Sequence, residues 1–241
     1  MLLAVAVSTS PPFAPGAVAR ATGSPRFVGL SPARLLDTRP GSATVDGVGS
    51  GAGPLGPSAT VEVPVLGRGG VPAAGVAAVV LNITVVQPSE VSYVTVYPGG
   101  TQRPGTSNVN VVPAVTTANS VIVGVGQGRV QLYQHAGNAH LLVDEMGWFP
   151  DGAAFNALIP QRLLDTRPGA PTSDGQGQGG GRVSGPGTAS VVVNGRGGVP
   201  LTGVGAVAVN ITAAAPSAAG YVSVYPSGGQ RPLASTLNVH P

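Results

Sequence analysis

Apolar residues recur at every second position along this chain, in short runs. Val61, Val63 and Val65 fall on one side of an extended segment, with Glu62 and Pro64 on the other. Val79, Leu81 and Ile83 oppose Asn82 and Thr84, and Val94 and Val96 oppose Tyr93, Thr95 and Tyr97. Period two is the spacing of a strand with one buried face. Further runs at 109–112, 120–125, 129–133 and 140–148, with 34–39, give about eight short strands in about 120 residues, punctuated by Gly and Pro. Pro64 cannot donate to a ladder, which predicts an edge strand at 61–65. The pattern predicts an all-β chain of β-sandwiches, jelly-roll or immunoglobulin-like in type.

The pattern also repeats. At a constant offset of 128, Phe27 falls on Phe155, Arg34 on Arg162, Asp46 on Asp174 and Asn82 on Asn210. "GRGGVP" at 67–72 returns at 195–200, and "YVTVYP" at 93–98 returns as "YVSVYP" at 221–226. Residues 27–113 and 155–241 align without a gap, and just over half of the positions are identical. Loops usually gain and lose residues freely, so kept loop lengths mark one unit present twice. An offset this long exceeds a solenoid repeat of roughly 20–50 residues, so each copy reads as a domain. The expected organisation is tandem: a first domain over 27–150 and a second over 155–241. Pro241 aligns with Pro113, so the second copy reads as truncated, short of the counterpart of 114–149.

Residues 1–26 carry a short apolar run at 2–7 and "AVA" at 17–19. They are expected to lie outside the fold as a leader or partial signal peptide, although no basic residue precedes the apolar run. No run approaches the roughly 18 apolar residues of a membrane span.

Composition narrows the chemistry. The 241 residues include no cysteine, which excludes disulfides and thiolate metal sites. Only 9% are charged, and all twelve basic residues are arginine. The arginines are scattered and aromatics make up 4%, which argues against a nucleic-acid surface. His135 and His140 flank a turn, and Asp144 shares a strand face with His140, but spacing alone is weak support for a metal. Asp144 and Glu145 are adjacent on a strand and point to opposite faces, so they cannot act together on one bond. No nucleophile elbow, zinc-protease motif or phosphate loop is present. No catalytic residue, metal site or cofactor is expected.

The stretch "RLLDTRPG" at 34–41 returns unchanged at 162–169. On a strand Asp37 and Arg39 share a face, and Arg34 points to the other. One reading makes Asp37 an acid or a metal ligand. The favoured reading makes it the centre of a buried hydrogen-bonded cluster that pins the strand. Guanidinium forks suit carboxylates, and a neighbouring arginine lowers a carboxyl pKa, which spoils a general acid. The same reading covers Arg162, Asp165 and Arg167.

"ARLLDTRPG", "GVPAAGVAAVVLNITVV", "YVTVYPGG", "SNVN", "ANSVIVGVGQGRVQLY" and "AHLLVDEMGWF" occur in this order in the first copy. As a string they resemble the LDTR-type tandem repeat domain of secreted proteins from high-GC Gram-positive bacteria. The resemblance implies an accessory module at the cell surface, beside catalytic domains such as hydrolases. It supplies no ligand and no catalytic residues.

The best binding candidate is the tyrosine face. Tyr93, Thr95 and Tyr97, followed by Gln102 and Arg103, return as Tyr221, Ser223 and Tyr225 with Gln230 and Arg231. Rings flanked by hydroxyls can stack on sugars and hydrogen-bond to them; alternatively, these tyrosines pack at the edge of a core. Three functions follow. A secreted attachment module, with polysaccharide as partner, needs an exposed tyrosine groove. A passive stalk that spaces a catalytic domain leaves the tyrosines buried. A hydrolase with an unrecognised site needs a pocket of converging polar groups. The shortened second copy also leaves strand edges open, which invites a strand-donating partner.

Overall fold

Alternating valine-rich segments become strands here wherever a neighbour completes the ladder. A computed structural model describes residues 2–8, 26–231, 236–239 and 241. Among them the structure is all β, with no helix. In chain order the strands are β1 (Leu2–Ser8), β2 (Val28–Asp37), β3 (Thr60–Pro64), β4 (Val76–Val86), β5 (Ser92–Pro98), β6 (Val109–Val111), β7 (Thr117–Gly124), β8 (Arg129–Gln134), β9 (His140–Pro150), β10 (Gly187–Val192), β11 (Gly220–Pro226) and β12 (Leu237–Val239). The chain divides into two compact units, Arg20–Pro160 and Met1–Ala19 with Gln161–Pro241.

The Arg20–Pro160 unit holds two antiparallel four-stranded sheets, ordered β2-β9-β4-β7 and β3-β8-β5-β6. Their apolar residues form one core. Leu81 and Ile83 of β4, Val94 and Val96 of β5, and Val130 and Leu132 of β8 are all fully buried. Each such side chain contributes about 1.5–3 kcal/mol when taken out of water. This is the β-sandwich arrangement that the alternation predicts. β3, with Pro64 at its end, lies at a sheet edge.

The other unit has one sheet, ordered β10-β1-β11-β12. β10, β11 and β12 stand at the offset positions of β3, β5 and β6. The segments at the offset positions of β2 and β4 are not strands. In the Arg20–Pro160 unit β2 pairs with β9, and β4 pairs with both β7 and β9. Val209, offset partner of the fully buried Leu81, is 45% exposed.

Within residues 1–26, read as a leader, the segment Leu2–Ser8 forms β1, which is hydrogen-bonded between β10 and β11. Its alternating leucine, alanine and valine suit a strand as well as a leader. Residues 9–25 lie outside the described residues.

Candidate functional site

The repeated charged motif forms a closed hydrogen-bonded cluster. Asp37 is 1% exposed and accepts four hydrogen bonds: from Arg39 N (3.1 Å), Nε (3.0 Å) and Nη2 (2.7 Å), and from Arg34 Nη1 (2.7 Å). Its backbone is tied as well, with N donating to Gly49 O and O accepting from Gly51 N. Arg39 beside it holds the Asp37 carboxyl well below the usual carboxylate range. A carboxylate so saturated has no proton to give and no lone pair to spare for a metal.

Arg34 departs from its expected face. It joins Asp37 and also grips Asp144 through Nε (2.6 Å) and Nη2 (3.0 Å). The cause is a register shift: Arg34 pairs with Asp144, but Leu36 pairs with Val143. A bulge at Leu35 returns Arg34 to the side of Asp37. The pairing also removes Asp144 as a ligand beside His140, whose Nδ1 lies 3.2 Å from Thr38 Oγ1. His240 lies outside the described residues.

The second copy of the motif repeats this geometry. Asp165 accepts from Arg167 N, Nε and Nη2 and from Arg162 Nη1, at 2.7 to 3.1 Å. Its carboxyl too is held far below the usual range, chiefly by Arg167.

Sequence reasoning missed a second ion pair. Arg68 of "GRGGVP" is buried and donates Nε and Nη2 to both oxygens of Asp46 (2.6 and 2.7 Å), and further to Pro64, Leu35 and Val48 carbonyls. Arg196 does the same with Asp174. Each aspartate is lowered to about 2 by its arginine. Gly69, at φ +59°, passes within 3.1 Å of Ala33 and Leu35 side chains if given a Cβ, which explains the glycines. The readable signal was the shared offset of both partners.

The tyrosine face is only partly open. Thr95 is fully buried and Tyr97 is 5% exposed. The chain after β5 folds back over them: Thr95 Oγ1 donates to Thr106 O (2.6 Å), and Asn108 Oδ1 accepts from Val96 N (2.7 Å). Ser223, offset partner of Thr95, is also fully buried. Thr95, Tyr97 and Ser223 are therefore withdrawn as ligand contacts.

What remains is a platform at the other end of β5. Tyr93 and His135 stack with ring centroids 4.4 Å apart and planes at 18°. Tyr133 lies 6.4 Å from both rings, tilted by about 50°. Arg103, on the covering segment, sets its guanidinium carbon 4.0 Å from the Tyr133 ring centre, a cation–π contact. Tyr93 and Tyr133 are half-buried, and His135, Arg103 and Gln102 are exposed. The predicted Tyr93, Gln102 and Arg103 are thus on the surface. The sequence does not place Tyr133 and His135 beside Tyr93; the register Thr95↔Tyr133 brings them there.

In the other unit Tyr221 and Tyr225 are half-buried, and Gln230 and Arg231 are exposed. The neighbour of β11 there is β1, which has no aromatic residue; Leu2, Ala4 and Ala6 stand in register with Tyr221, Ser223 and Tyr225. Among the described residues the ring cluster is not reproduced.

Glu145 is fully buried on β9, with Oε1 accepting from Gly147 N (3.0 Å) and Oε2 unpartnered. Burial raises it to about 7. A value in that range suits a general acid, but a group sealed from solvent cannot touch a substrate. Among the described residues no three His, Asp or Glu side chains form a metal-binding group, and no helix is long and apolar enough to cross a membrane. No family model, curated protein or solved structure matches this chain.

Proposed function

We propose that this chain is a secreted, non-catalytic attachment module that holds polysaccharide on the Tyr93–Tyr133–His135 face. The carrying observation is the cluster itself: three rings at one sheet end, two of them half-open, with Arg103 and Gln102 at the rim. Sugar rings offer C–H faces to aromatic rings and hydroxyls to rim donors, and Tyr serves both needs. The repeat supports a reading as LDTR-type tandem domains. The interleaved strand order, with eight strands in two sheets, favours the jelly-roll form, an architecture used by lectins. A glycan array probed with the full chain tests the idea. Binding to polysaccharide spots that weakens about tenfold in Tyr133→Ala, or ~1.4 kcal/mol, supports it. Absence of any glycan signal counts against it.

The burial of Thr95 and Tyr97 favours a second reading, a passive stalk that spaces a catalytic domain. A stalk gives no glycan signal, and its Tyr133→Ala variant behaves as the parent does. The hydrolase reading has weaker support, since Asp37 and Asp165 are saturated by arginines.

A further inference from the structure

The two sheets of the Arg20–Pro160 unit end in β2, β7, β3 and β6, and three of these edges are guarded. β3 carries Glu62 and ends at Pro64. β2 contains Pro32 and has register shifts, and a neighbouring loop covers its backbone: Val45 N donates to Arg34 O, and Asp37 N to Gly49 O. β6 has only 3 residues. Charge, proline, bulges, cover and shortness are the devices that keep an edge from pairing with another chain. β7 has none of them. Its sequence, TANSVIVG, holds no charge and no proline, and it pairs with β4 without a register shift.

One bond fixes which way the backbone of β7 faces. Val125 N donates to Ala77 O (3.1 Å) in line with the β4–β7 ladder, so Ala77 and Val125 are a hydrogen-bonded pair. In an antiparallel ladder such pairs alternate with pairs whose backbone groups turn away. Thr117, Asn119, Val121 and Val123 therefore bond to β4, and Ala118, Ser120, Ile122 and Gly124 turn N–H and C=O outward. Gly124 is buried, and a Cβ there would meet Ala157 at 3.1 Å. Ala118, Ser120 and Ile122 are exposed, Ile122 by 40%. Among the described residues no strand pairs with their outward side. On the inner face Asn119 Nδ2 donates to Asn108 O (2.7 Å), so a side chain rather than a ladder closes that seam.

We propose that β7 is a self-association edge, at which two copies of this chain pair their β7 strands antiparallel about a two-fold axis at Ser120. The open residues decide both occupant and register. Ala118 stands opposite Ile122 of the partner subunit, and Ser120 opposite Ser120 of the partner subunit. Each such pair exchanges two backbone hydrogen bonds. A small side chain meets a large one on either side of the axis, and two hydroxyls meet on it, which suits cross-strand contact. Moving the axis to Asn119 sets Ile122 against Thr116, beyond the end of β7; moving it to Val121 sets Ala118 against the buried Gly124. One surface thus serves both subunits, as a two-fold interface requires. The lack of charge on β7 spares it the like-charge repulsion that a strand such as β3 meets at Glu62.

Sedimentation equilibrium of the full chain at concentrations up to about 1 mM tests this. The parent is expected to pass reversibly from monomer to dimer. Ser120→Lys sets like charges face to face on the axis, as does Ser120→Glu, and each should weaken the dimer at least about tenfold. An equimolar mixture of the two variants should recover the association, because lysine then meets glutamate across the axis. Hydrogen exchange needs no variant: in the parent, the amides of Ala118, Ser120 and Ile122 should gain protection as concentration rises. A parent that stays monomeric overturns the proposal. So does a dimer that Ser120→Lys leaves intact, or a mixture that associates no more tightly than either variant alone. Protection of the three amides that is independent of concentration marks cover by another part of the chain and overturns it as well.

Discussion

Arg34 joins two aspartates that the sequence separates widely: its Nη1 reaches Asp37, and its Nε and Nη2 hold both oxygens of Asp144. One guanidinium thereby couples the end of β2 to the middle of β9. Replacing Asp37 with Asn leaves Arg34 and Arg39 facing an uncharged group. We expect a loss of roughly 3 kcal/mol in the unfolding free energy. Trp148 is the sole tryptophan, so its fluorescence in a denaturant titration reports this unit. An unchanged midpoint would return Asp37 to the list of functional candidates.

The stability of the same unit should depend on pH in two opposite ways. Glu145 is raised to about 7 in the fold from an ordinary value near 4.5. Between those values the unfolded chain loses its proton and the folded chain keeps it, so stability falls as pH rises from about 4.5 to 7. The total is roughly 3 kcal/mol. Asp37 and Asp46 are lowered, so their contribution is full above the unfolded value near 3.8 and is lost as pH falls below it. Maximal stability is expected near pH 4–5. In Glu145→Gln, the difference from the parent should climb between pH 4.5 and 7 and stay flat outside that window. A difference independent of pH would show that Glu145 is not shifted.

Tyr97 and Tyr93 should part company on substitution. Tyr97→Ala removes a buried ring and is expected to cost about 3 kcal/mol. Tyr93→Ala removes a half-exposed ring from the surface and should cost about 1 kcal/mol or less. Thermal unfolding of the two variants checks this; equal losses would mean that Tyr93 is packed as deeply as Tyr97.

Period-two alternation located each strand of the Arg20–Pro160 unit to within a few residues, because every one of them has a buried face. It misplaced Arg34, because a bulge at Leu35 changes the parity of the strand without leaving a mark such as glycine. It overstated the tyrosine face, because alternation separates faces but does not reveal that Thr106 and Asn108 fold back over Thr95 and Val96. It hid Tyr133 and His135 as partners of Tyr93, since the pairing of β5 with β8 is a matter of topology. The strand at Leu2–Ser8 was unreadable for a different reason. An apolar run near the start of a chain has the same composition whether it is a leader or a strand, and its pairing with β10 and β11 is a matter of topology.

The sugar platform is the central claim, and affinity electrophoresis of the full chain through gels cast with soluble polysaccharides tests it most directly. The parent and Tyr221→Ala should be retarded equally by at least one polysaccharide, since among the described residues the rings beside Tyr93 have no counterpart beside Tyr221. Tyr133→Ala and Tyr93→Ala, still folded by their Trp148 signal, should migrate as in a blank gel. Retardation that survives both of these substitutions, or its absence from the parent in every gel, would contradict the account.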